Sequence, residues 1–97
     1  MKQSSQEIIP PFGPIKNVRQ LGSIIRKFRK DHQLTLEIVS GLTNIGMRFL
    51  SELERGKETA ELGKTLAIIN KIGLEVIIQP RGYKPSPVNT QKDDKKE

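Results

Sequence analysis

Between residues 18 and 73 the chain repeatedly starts a helix and is stopped before the helix can grow long. Leu21, Ile24, Ile25 and Phe28 stand at i, i+3, i+4 and i+7, which places them on one face of an α-helix. That spacing predicts a first helix over about 17–30, with Arg26, Lys27, Arg29 and Lys30 off the apolar stripe. Thr35 is an N-cap for a short second helix through Gly41, although Ile38 stands where the Glu or Gln of a capping box would reciprocate. Val39 and Leu42 are its expected core contacts. Asn44 suits a left-handed turn residue. A third helix then runs from Gly46 or Met47 to Arg55, burying Leu50 and Leu53, and Gly56 ends it. Glu61 to Ile72 is a fourth, with Leu62, Leu66, Ile69 and Ile72 inward and Gly73 closing it.

After Gly73 the period changes from helical to alternating. Leu74-Glu75-Val76-Ile77-Ile78-Gln79 is rich in β-branched residues, with Leu74, Val76 and Ile78 on one face, and Pro80 and Gly82 end the run. A lone strand leaves its backbone groups without partners. The simplest repair is the same strand of a second copy, paired antiparallel about a two-fold axis. Leu74, Val76, Ile77 and Ile78 are therefore the expected dimerisation residues. The predicted fold is all-α, four to five helices, with this one strand pairing across a homodimer.

The remaining segments are read as appendages. Residues 1–17 hold Pro10, Pro11 and Pro14 around Phe12, which rules out a helix and predicts an irregular arm. Ile8, Ile9, Phe12 and Ile15 give that arm apolar contacts for docking. Residues 81–97 end in Gln91-Lys92-Asp93-Asp94-Lys95-Lys96-Glu97, too polar to offset their ordering entropy, and are expected to be disordered. The helical domain would be 18–73 and the dimerisation strand 74–80.

Composition excludes several classes. The chain has 97 residues and no cysteine, so disulfide frameworks and thiolate zinc sites are out. No apolar run approaches the roughly 20 residues of a membrane span, and the N-terminal residues do not read as a secretory signal. A cytoplasmic, nucleoid-associated location is the expectation. The net charge is +6, unevenly spread. Residues 15–57 hold nine basic and four acidic side chains, whereas 58–80 hold two basic and three acidic ones. A basic half suits an anionic partner.

Two short helices joined by a tight turn form a helix-turn-helix unit. Leu34-Thr35, and then Asn44 through Lys57 with Phe49-Leu50-Ser51-Glu52-Leu53-Glu54-Arg55-Gly56-Lys57 as its most specific part, resemble the Cro/cI-type (XRE) helix-turn-helix family. The basic first helix, the fourth helix and Gly73-Leu74-Glu75-Val76-Ile77-Ile78-Gln79-Pro80-Arg81 are similar to the HipB-type antitoxin branch. The resemblance covers roughly residues 18–82. It implies that the third helix enters the major groove with its N-terminal residues at base edges. The base-reading residues would be Met47, Arg48, Ser51 and Glu52. Arg48 suits a bidentate contact to guanine; Glu52 either accepts from cytosine or pairs with Arg48 or Arg55. Thr35, Gly46, Arg55 and Lys57 would lie against the backbone. Leu36 replaces a common phosphate-gripping Gln, and Gly46 a capping Ser or Thr, so affinity should lean harder on Arg and Lys.

The resemblance further implies a repressor of its own operon, on a palindromic operator, that helps hold a HipA-like kinase toxin inactive. Partners would be double-stranded DNA, a second copy and that toxin; no membrane, metal or cofactor is expected. An interaction module with a vestigial DNA reader is the second reading, supported by Leu36 and Gly46. An enzyme is not expected. His32, the only histidine, sits at a helix end where it caps carbonyls or faces water, and the glycines fit no phosphate-loop spacing.

Overall fold

The computed structural model describes residues 12–83 and contains four helices in order: α1 (Val18–Asp31), α2 (Leu36–Thr43), α3 (Met47–Glu54) and α4 (Leu62–Ile72). Each boundary has a local cause. The Asn17 side chain accepts from Gln20 N at 2.8 Å and starts α1, whose last turn carries Arg29 and Lys30 where cations complement the helix dipole. Thr35 Oγ1 accepts from Ile38 N at 3.0 Å and starts α2. Asn44, at φ 61°, ends it in the left-handed conformation. Gly46 starts α3 with no side-chain cap. At the other end Gly56 N donates to Leu53 O at 2.9 Å and Lys57 N to Glu52 O at 3.1 Å. These two bonds form a Schellman close, which needs the positive φ of Gly56, here 89°.

Ile25, Val39, Ile45, Leu50, Leu53, Ile68, Ile69 and Ile72 form one buried cluster, with Leu21, Phe28, Leu34, Leu36, Phe49, Ala60 and Leu74 packed around it. α3 packs against both α1 and α2, and α2 also packs on α4. Gly22 makes the α1–α3 approach possible. A Cβ there would collide with the Leu53 carbonyl oxygen and stand 2.7 Å from that of Glu54.

Two expected core faces are corrected. In α4 the inward stripe is Thr65, Ile68, Ile69 and Ile72, whereas Leu62 and Leu66 are exposed. Thr65 can take a core position because its hydroxyl donates to Glu61 O at 2.9 Å, so no polar group is left unpaired. In α2, Val39 is buried but Leu42 is half exposed.

Residues 74–80 leave the last helix without forming a helix or a ladder among the described residues. Of the expected face, Leu74 packs on the core while Val76 is half exposed and Ile78 almost fully so. Of the arm, Phe12 meets Phe28 edge-on with ring centroids 6.2 Å apart. Phe12 and Ile15 share an apolar hollow with Leu21, Ile24, Ile69 and residues 74–79. The rest of the expected arm, with Ile8 and Ile9, and residues 84–97 of the expected tail lie outside the described residues. Among the described residues no helix is long and apolar enough to cross a membrane.

Candidate nucleic-acid interface

Burial of Leu50 and Leu53 fixes the rotation of α3. Because they face the core, Met47 and Arg48 in the first turn face outward, Met47 44% exposed and the Arg48 side chain 91%. Gly46 stands at the head of the helix, with open space where a Cβ would be. One turn on, Ser51 accepts a hydrogen bond from Arg55 Nη1. A shallow crevice brings Met47, Ser51 and Arg55 together with Thr35 and Leu36 at the start of α2, and with Arg26 and Lys30 of α1. Thr35 spends its oxygen on the cap but keeps a hydroxyl proton to donate.

Arg48 and Lys57 meet elsewhere, on Glu52. Arg48 Nε lies 3.3 Å from Glu52 Oε2, and Lys57 Nζ lies 3.0 Å from Oε1. The hydrogen bond from Lys57, then that from Arg48, holds the Glu52 carboxyl below its ordinary value. One of the ion pairs that the sequence leaves open to Glu52, that with Arg48, is formed. The expected dimerisation residues Leu74, Val76, Ile77 and Ile78 line the hollow with the arm and not this crevice.

The basic face differs from its expected composition at Arg29. This residue is buried, and its guanidinium grips Glu54 with Nε 2.6 Å from Oε2 and Nη2 2.9 Å from Oε1. Nη1 also donates to Leu34 O at 2.9 Å, so one side chain ties α1, the turn before α2, and α3. The hydrogen bond with Glu54 raises the Arg29 pKa above its ordinary value against the opposing effect of burial. Since the pair withdraws one charge of each sign, the surface keeps its net basic balance.

Two kinds of residue escaped the sequence reading. Arg29 and Glu54 each fall on the buried phase of a helix, four residues after Ile25 and Leu50; opposite charges on two such phases are the signal that was there to find. Arg26 and Lys30 were counted only as basic surface, yet they border the crevice and have no ion-pair partner among the described residues. His32 serves the end of α1, with Nδ1 2.9 Å from Phe28 O and its ring stacked on that of Phe28.

No family model matches the chain, and no solved structure matches it at a significant level. A protein of Sinorhizobium fredii described as the uncharacterized HTH-type transcriptional regulator y4mF is 34% identical over 68 residues. The alignment covers 70% of this chain and 90% of that relative. With its α2–turn–α3 unit and a relative matched over nearly its whole length, the chain belongs to the helix-turn-helix (HTH) type transcriptional regulators.

Proposed function

We propose that this regulator is a sequence-specific DNA-binding repressor that acts as a homodimer, with α3 lying in the major groove. One observation carries this reading: the first turn of α3 turns Met47 and Arg48 outward, beside a crevice bordered by Arg26, Lys30 and Arg55. Met47, Arg48 and Ser51 face base edges, with Glu52 beside them on the same helix. Thr35, Gly46, Arg55 and Lys57 lie against the backbone. Residues 18–73 form the reading domain. Residues 74–80, with Val76, Ile77 and Ile78 exposed, pair with their symmetry mate and space two half-sites about 34–36 Å apart or a small multiple of that.

The antitoxin role rests on the resemblance of the α4–strand region to the HipB-type branch. It supposes an operon shared with a HipA-like kinase toxin, autoregulation, and a turnover-prone tail over 81–97. A kinase-like reading frame beside the gene supports it, and an isolated gene points to a stand-alone repressor.

The test is fluorescence anisotropy with an operator selected from random duplexes, at two salt concentrations. Binding should weaken steeply with salt, and Arg48→Ala should cost about 1–3 kcal/mol at a single base pair. No binding to any duplex at low salt would favour the interaction module with a vestigial reader. Sedimentation tests the seam: Ile78→Pro, which removes a ladder donor, should leave monomers.

A further inference from the structure

Of the three cations that α3 and the turn after it would offer to DNA, Arg48 and Lys57 are already in contact with an anion, whereas Arg55 bonds the Ser51 hydroxyl. Glu52 divides its carboxylate between them, Oε2 toward Arg48 and Oε1 toward Lys57. Two oxygens of a single anion spanning two cations is also how a phosphate would be held. We infer that Glu52 acts as an internal decoy for DNA phosphates, occupying Arg48 and Lys57 and so lowering the affinity with which they hold any duplex. The inference rests on the DNA-reading function proposed above.

Three observations support a decoy over a structural brace. The cation side chains are open to water, 91% exposed for Arg48 and 48% for Lys57, so neither is locked in place. The Arg48–Glu52 pair runs with the cation N-terminal, the weaker order for an i,i+4 pair on a helix, and its 3.3 Å contact is long for an ion pair. The core does not need the carboxylate, because α3 is anchored by Leu50, Leu53 and the Arg29–Glu54 clamp.

The consequence is electrostatic. When a phosphate takes either cation, Glu52 loses a partner and is left charged beside the DNA backbone, which repels it. On random duplex nothing offsets that cost. At the operator, Arg48 gains a base edge, a contact whose worth random sequence does not supply. That base-edge gain is there with or without the Glu52 charge, so Glu52 lowers affinity for operator and random duplex alike.

Glu52→Gln keeps the shape and removes the charge of a side chain that is 23% exposed, and the unfolding midpoint of the variant checks that it folds. Binding of the full-length variant to operator and to random duplex, each across a salt series, is the test. Expected are tighter binding to operator and random duplex alike, by up to about fivefold, and a salt slope steeper by about 1–2 as one or two further phosphates are neutralised. Adding Lys57→Ala to the variant should take about 1 of that slope back. Unchanged affinity and slope on both duplexes, in a protein whose wild type binds DNA, would overturn the decoy and leave the reader intact. Loss of operator binding alone would make Glu52 a direct base reader instead. Equal weakening on both duplexes would make it a brace. A wild type that binds no duplex would instead overturn the function on which the inference rests.

Discussion

Two glutamates of α3 show how helix phase decides what the same chemistry does. Glu52 and Glu54 are two residues apart, so they point about 200° apart around the helix. Glu54 turns toward α1 and receives Arg29 in a two-bonded grip, with the side chains only 6% and 9% exposed. Glu52 lies at the edge of the surface, its side chain 23% exposed, and holds two cations that water reaches. A paired charge taken out of water is costly to unpair, whereas an exposed pair contributes little to stability and can trade partners. One end of the contrast therefore fixes where α3 sits, and the other leaves its outer face adjustable.

The comparison breaks first at Glu54. Glu54→Ala leaves the Arg29 guanidinium buried and unpaired, and should cost about 3–5 kcal/mol, a large share of the roughly 5–15 kcal/mol that holds a domain folded. Denaturant unfolding measures it. A loss below about 1 kcal/mol would show that the clamp is no sturdier than a surface pair. Replacing both partners, Arg29→Met with Glu54→Leu, should be near neutral or stabilising. A double variant that unfolds as readily as Glu54→Ala would mean that the bond from Arg29 to Leu34 O, and not the ion pair, is what α3 depends on.

Gly22 sharpens the same contrast from the backbone side. A methyl group there meets two carbonyl oxygens of the last turn of α3, and those atoms cannot rotate away as a side chain can. Gly22→Ala should cost about 1–3 kcal/mol by overpacking. It should also loosen the Arg29–Glu54 pair, since the displaced turn includes Glu54. Unfolding of Gly22→Ala in the paired-replacement background checks this: a smaller cost there shows coupling, and an equal cost shows that contact and clamp act separately.

The features legible in the sequence are those set by a few neighbouring residues. Thr35, Asn44, Gly56 and Gly73 mark helix ends because capping is a local backbone requirement. The outward direction of Met47 and Arg48 follows from the phase of Leu50 and Leu53. What stayed hidden needed a partner distant along the chain. Arg29 and Glu54 are 25 residues apart, and either alone reads as solvated charge. Gly22 matters only once α3 is known to lie on it. Thr65 does not stand out as a core residue, because its bond to the Glu61 carbonyl, which lets it be buried, leaves no mark in a hydropathy pattern. Leu62, Leu66 and Leu42 look inward by spacing alone for the converse reason. In the candidate site, Glu52 had two readings because base contact and ion pairing ask for the same residue at the same spacing.

Stability should barely register the outer pairs. Glu52→Gln is expected to leave the unfolding midpoint near that of wild type at neutral pH, in contrast to Glu54→Ala. Acid reveals the small remainder. The folded-state carboxyl is held below its ordinary value of 4.5 by Lys57 and then Arg48. What the pairs contribute is therefore complete above 4.5 and lost as pH falls through the lower folded-state value. Wild type should converge on Glu52→Gln in that window. A gap that persists at lower pH would assign the difference to packing.

The smallest effect lies at the opposite end of α3. Its C-terminus has the Schellman close and the Arg29 clamp, but its N-terminus has no side-chain cap, because Gly46 supplies none. The backbone at Gly46, φ −62° and ψ 150°, is one any residue adopts, and no atom lies within 4 Å of a Cβ placed there. Gly46→Ser thus adds a hydroxyl able to accept from a first-turn N–H, for a gain of a few tenths of a kcal/mol. That gain is small only while the clamp holds α3 in place. In the Glu54→Ala background the same cap should be worth more, because α3 would then depend on its own ends. Unfolding of the four variants in a double-mutant cycle measures the difference. If the cap gained no value there, the helix would owe its order to Leu50 and Leu53 rather than to the buried pair.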